Sequence, residues 1–81
     1  MTYFIQFGIY SRKGYILNTQ NEEVEADTVE EAIEEVFDLE QRMEDTYACV
    51  MVDIFENEKG EEIEYYESSV YESLRKDYEA Q

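Results

Sequence analysis

The apolar residues change period along this chain, and that change limits the fold more than any other feature. Residues 2–10 alternate, with Tyr3, Ile5, Phe7 and Ile9 on one face and Phe4, Gln6, Gly8 and Tyr10 on the other, the pattern of a strand half buried in a sheet. From residue 29 the period lengthens. Val29, Ala32, Ile33, Val36, Phe37, Leu39 and Met43 recur at helical spacing, behind Asp27 or Thr28 as cap and the capping-box pair Thr28 and Glu31. A sequence that moves from period 2 to period 3.6 buries its apolar residues by laying a helix on a sheet, which places it in the α+β class.

Turn signals divide the rest. Ser11-Arg12-Lys13-Gly14 has turn chemistry, with Gly14 free to take positive φ. Tyr15-Ile16-Leu17 begins a returning strand that Asn18 to Asn21 weakens and Glu22 to Ala26 continues beyond a bulge or irregular segment. Tyr47 to Phe55 reads as a strand with Ala48, Val50, Val52 and Ile54 on one face and Tyr47, Cys49, Met51 and Phe55 on the other. Apolar character on both faces predicts a strand covered on both sides or central in its sheet. After the turn Asn57-Glu58-Lys59-Gly60, residues 61–67 alternate Glu62, Glu64 and Tyr66 against Ile63 and Tyr65, the return of a second hairpin. Ser69 and Glu72 then repeat the capping-box spacing before Val70, Tyr71, Leu74 and Tyr78. The expectation is one domain over residues 1–81, in ββαββα order, with an antiparallel sheet of about four strands and two helices, the longer helix packed across one sheet face. The two halves echo each other around Lys13-Gly14 and Lys59-Gly60, one residue out of register, which is no more than two hairpins share by form.

A chain of 81 residues buries only about 60–70% of its unfolded surface, so the core is thin. Eight Tyr and four Phe thicken it, since each ring buries roughly 150–250 Å². That aromatic content argues against an acidic disordered tail. Cys49 is the only cysteine, which excludes an internal disulfide and points to the cytoplasm. It reads as a small buried hydrophobe, with no His anywhere in the chain to activate it. No stretch approaches the ~20 apolar residues of a membrane span, and the first residues lack the basic and apolar regions of a signal peptide. Without His or Trp the usual general base near neutral pH is missing. The 22 carboxylates form many chance pairs, and nothing marks one of them as an acid or base. The acidic stretch from Asp53 to Glu67 fails as a calcium loop, because Phe55 stands where an EF-hand needs its first Asp. No catalytic residue, cofactor or metal site is expected, and the protein is not expected to be an enzyme.

The charge is placed unevenly. No carboxylate precedes Glu22, so the first 21 residues carry +2 and the remaining 60 carry −18. Glu30, Glu31, Glu34, Glu35 and Asp38 share the polar face of the first helix, where like charges four apart repel by roughly a few tenths of a kcal/mol per pair. Only Arg42 offsets them, four residues on from Asp38. A helix selected for solubility alone ordinarily mixes signs. Because four helical residues advance about 6 Å, two staggered columns of Glu approach the charge density of duplex DNA, one per ~1.7 Å. Glu61, Glu62, Glu64 and Glu67 are placed to extend the row from the second hairpin, with Tyr65 and Tyr66 as flat, amphipathic anchors. The expected partner is a basic nucleic-acid-binding protein that accepts this face in place of phosphates. The basic residues scatter, with Arg12, Lys13 and Lys59 on turns and Arg75 and Lys76 in the last helix, which argues against direct binding of nucleic acid or of an anionic membrane. Two alternatives stand beside this reading. One is an acidic adaptor or regulatory subunit bound through the neutral N-terminal hairpin by edge-strand pairing, as monomer or homodimer. The other is an acidic face that only solubilises.

In size, charge and Tyr content the chain resembles the small DNA-mimic inhibitors that bacteriophages and other mobile elements encode against restriction enzymes, CRISPR effectors, DNA repair glycosylases and nucleoid proteins. The likeness is one of class. Those inhibitors share no common fold or motif, so no residue is carried over from any of them. It implies a stoichiometric anti-CRISPR or anti-restriction inhibitor, acting in the cytoplasm of a bacterial host without turnover or cofactor.

Overall fold

β1 (Thr2–Tyr10) is the central strand, and its alternation is the one the sequence predicts: Tyr3, Ile5, Phe7 and Ile9 are all buried. The computed structural model describes residues 1–47 and 49–80. Around β1 the order is β2 (Ile16–Glu25), α1 (Val29–Glu44), β3 (Cys49–Asn57) and α2 (Ser69–Glu79), with three antiparallel strands arranged β2-β1-β3. The class is α+β, as expected, but the sheet has three strands and the order is ββαβα. Both glycine turns form as their residues predict, with φ of 90° at Gly14 and 79° at Gly60, a conformation that favours glycine.

α1 crosses one sheet face. Thr28 is its cap, the side-chain oxygen accepting from the Glu31 N–H at 3.2 Å, while the Glu31 carboxylate reaches back to the Asp27 N–H at 3.3 Å. Ala32, Ile33, Val36, Phe37 and Met43 bury against the inner face of the sheet, and α2 packs on α1 through Tyr71 and Tyr78, both edge-on to Phe37. α2 starts one residue earlier than its sequence spacing suggests. Ser68, not Ser69, is the cap, accepting from the Tyr71 N–H at 3.1 Å.

Three further expectations are corrected. β3 is an edge strand rather than central. Its faces also switch halfway, because Phe7 pairs with Val52 and Gln6 with Ile54, leaving Asp53 as an extra residue. Val50 therefore faces the core, whereas beyond the bulge Phe55 is buried and Ile54 is 46% exposed. Ala48 lies outside the described residues. Opposite the bulge, Gly8 leaves room for the Asp53 carboxylate and for the Tyr10 ring, whose hydroxyl donates to Asp53 at 2.8 Å.

The fourth strand is reduced to a single bridge between Glu56 and Glu62. Asn57 holds that turn, its side-chain oxygen accepting from the N–H groups of Lys59 and Glu61 at 2.9 and 3.0 Å. After Ile63, whose N–H donates to the Phe55 carbonyl at 2.8 Å, the chain leaves the sheet. The reason lies in Tyr65 and Tyr66. In a strand consecutive side chains point to opposite faces, yet here both hydroxyls meet one carboxylate, that of Glu40.

Candidate functional site

Two groups of carboxylates on α1 differ in every respect. Glu40 sits on the buried stripe, one turn beyond Val36, and is 2% exposed. Tyr65 donates to its Oε1 at 2.9 Å and Tyr66 to its Oε2 at 2.6 Å. The Tyr66 oxygen in turn accepts from the Val52 N–H at 2.7 Å, so one side chain ties α1 to the edge of β3. Tyr71 packs against both tyrosines, tilted to Tyr65 and edge-on to Tyr66, with ring centroids 4.8 and 5.1 Å away. Burial pushes the Glu40 carboxyl above its usual range, and the two tyrosine hydroxyls, which favour the charged form, oppose that only in part. Both hydroxyls are pushed well above their usual range by burial and by the neighbouring carboxylate, so they remain donors. An open concavity of about 450 Å³ lies beside Tyr65 and Tyr66, but Glu40 does not line it. The carboxylate is fully occupied within the fold.

The outer group faces solvent. Glu30, Glu31, Glu34, Glu35 and Asp38 are all exposed. Asp38 pairs with Arg42 at 2.5 Å, Glu31 serves the N-terminal turn, and Glu30, Glu34 and Glu35 have no ion pair among the described residues. Toward β2 this face borders a surface groove in which Glu34, Glu35 and Asp38 meet Glu22, while Glu23, paired with Phe4, turns its side chain to the other sheet face. The acidic surface thus continues onto β2.

The second set of sequence candidates lies elsewhere. Glu61, Glu62, Glu64 and Glu67 are exposed, but Glu62 bridges to β3, on the sheet edge opposite β2. The structure does not join them to the helix row through β2. Tyr65 and Tyr66 do not stand out as surface anchors. Tyr65 is 4% exposed and Tyr66 is half-buried, both turned onto Glu40. Sequence reading missed Glu40, although a carboxylate between Val36 and Met43 on an apolar stripe was a signal for a buried acid. It also missed Glu22, which only the pairing of β2 brings beside α1.

All three basic residues within helices are paired four apart: Arg42 with Asp38, Arg75 with Glu79 at 2.9 Å and Lys76 with Glu72 at 3.4 Å. These exposed pairs add little stability, roughly 0.3–0.5 kcal/mol each. Cys49 is half-buried on the outer sheet face rather than in the core, paired with Tyr10. Among the described residues no helix is long and apolar enough to cross a membrane, and no group of three or more potential ligands is placed to hold a metal ion. Compared with protein-family models, curated proteins and solved structures, the chain gives no match.

Proposed function

We propose that this protein is a stoichiometric DNA-mimic inhibitor, of the anti-restriction or anti-CRISPR type, that occupies the basic nucleic-acid site of a partner protein. The observation that carries this reading is the contrast within α1. The helix satisfies its one buried carboxylate with two hydroxyl donors and leaves Glu30, Glu34 and Glu35 exposed and without an ion pair among the described residues, the last two beside Glu22. Glu30, Glu34 and Glu35 supply negative charge without ion-pair partners among the described residues, the condition under which Lys and Arg of a DNA-binding cleft gain most from docking. The mechanism is competitive occupation, with no bond made or broken. Glu61, Glu62, Glu64 and Glu67 form a second acidic surface at the far sheet edge, available to another wall of the same cleft.

The adaptor reading keeps support from a different place. Tyr15, Ile16 and Leu17 are 70%, 57% and 67% exposed where β2 begins, with no strand on its outer edge among the described residues, and they fall in the first 21 residues, which hold no carboxylate. Exposed apolar edges of this kind invite strand pairing. The two readings separate in one experiment: capture of proteins from a bacterial lysate at low salt, followed by elution with duplex DNA. The mimic reading expects nucleic-acid-binding proteins that DNA displaces and that the Glu30→Gln/Glu34→Gln/Glu35→Gln variant no longer captures. Proteins held regardless of DNA and lost with Leu17→Lys would replace it with the adaptor reading.

A further inference from the structure

The sheet face away from α1 carries a second arrangement, set by the strand register. In one cross-strand row Phe4 stands between Glu23 of β2 and Glu56 of β3, and in the next Gln6 stands between Asn21 and Ile54. Directly opposed residues in adjacent strands hold their Cβ atoms about 4.5–5.5 Å apart, so a carboxylate flanks the Phe4 ring on each side. Phe4 is 38% exposed and Ile54 46%, and together with Gln6, Asn21 and the two Glu they line an open concavity of about 390 Å³. Among the described residues neither Glu23 nor Glu56 belongs to an ion pair, the acidic members of which are Asp38, Glu72 and Glu79. Ile54 reaches this face only because of the bulge at Asp53.

We propose that this face is a receptor for an arginine side chain of a basic partner, with the guanidinium stacked on Phe4 between the carboxylates of Glu23 and Glu56 and the methylene stem against Ile54. The geometry selects Arg over Lys. A guanidinium is planar, stacks on an aromatic face and directs donors outward in its own plane toward both carboxylates, whereas an ammonium is compact and strongly hydrated. A second copy of the chain is the poorer occupant, since it brings a net charge of −16. The inference rests on the reading that the partner is basic and adds a contact on the opposite side of the sheet from α1, as a cleft that closes around a duplex would require.

The test is a two-dimensional ¹H–¹⁵N titration of the full chain with the peptide Gly-Arg-Gly-Arg-Gly and with its Lys counterpart. The Arg peptide is expected to shift the amides of Phe4, Gln6, Ile54 and Glu56 and to bind several-fold more tightly than the Lys peptide. Phe4→Ala is expected to weaken it about five-fold. Glu23→Gln and Glu56→Gln, both surface changes that leave the core intact, are expected to weaken it similarly. Equal response to the two peptides would overturn the proposal in favour of plain charge attraction. Shifts confined to residues 30–38 would overturn it while leaving the acidic-helix reading in place. Concentration-dependent shifts of Phe4 and Ile54 without peptide would assign the face to a second copy instead.

Discussion

The inner and outer sides of α1 carry the same functional group and use it in opposite ways. Glu40 is enclosed by tyrosines and holds the helix to β3, whereas Glu30, Glu34 and Glu35, one to three turns away, repel one another along the exposed face, Glu30 alone gaining from the positive end of the helix. A carboxylate that the fold satisfies is structural. A row that the fold leaves unsatisfied at a cost is available for a partner, and this difference is a better guide to function than acidity as such.

The largest effect is expected inside. Glu40→Ala leaves the Tyr65 hydroxyl without its acceptor and the Tyr66 hydroxyl with only the weak Met51 sulfur, and opens a gap beneath α1, which should cost about 2–4 kcal/mol in urea unfolding. A loss under about 0.5 kcal/mol would mean that the junction does not hold the helix in place. Tyr66→Phe is a narrower cut. It removes the oxygen that joins the Val52 N–H to Glu40, and a cost of roughly 1–3 kcal/mol is expected.

Acidification separates the two sides further. The folded-state pKa of Glu40 lies above the ordinary 4.5, so the folded protein holds that proton more tightly than the unfolded chain. Its contribution to stability is therefore complete below the unfolded value and is lost as pH rises through the folded value. Urea midpoints should increase as pH falls through the folded value toward the ordinary carboxylate range, and Glu40→Gln should flatten that rise. Parallel pH profiles for the two proteins would remove Glu40 as the source.

The smallest effect belongs to the outer face. Raising monovalent salt from about 0.02 to 0.2 M shortens the Debye length from ~20 Å to under 10 Å and should raise the melting temperature by a few degrees at most. A flat or falling profile would show that the surface charges do not oppose folding.

Much of the fold is legible where local chemistry decides it. The alternation of β1, the Thr28 cap and the glycines of both turns all follow from neighbours in sequence. What the sequence hides depends on distant partners. The segment 61–67 alternates like a strand, but Glu40, more than twenty residues earlier, draws Tyr65 and Tyr66 to the same side and ends the pairing. The bulge at Asp53 moves Ile54 outward and Phe55 inward, and its cause, the space above Gly8, lies on another strand. The acidic helix face is readable from spacing alone. Its continuation onto Glu22 is not, because only the sheet order places β2 beside it.

The division of labour within α1 is tested most directly by measuring unfolding free energy and DNA-displaceable partner capture on two variants side by side. Glu30→Gln/Glu34→Gln/Glu35→Gln should keep or gain stability, by a few tenths of a kcal/mol for each like-charge pair relieved, and lose capture. Tyr66→Phe, assayed at a temperature where it is fully folded, should lose stability and keep capture. Full capture by the triple variant, or loss of capture by folded Tyr66→Phe alone, would contradict the account.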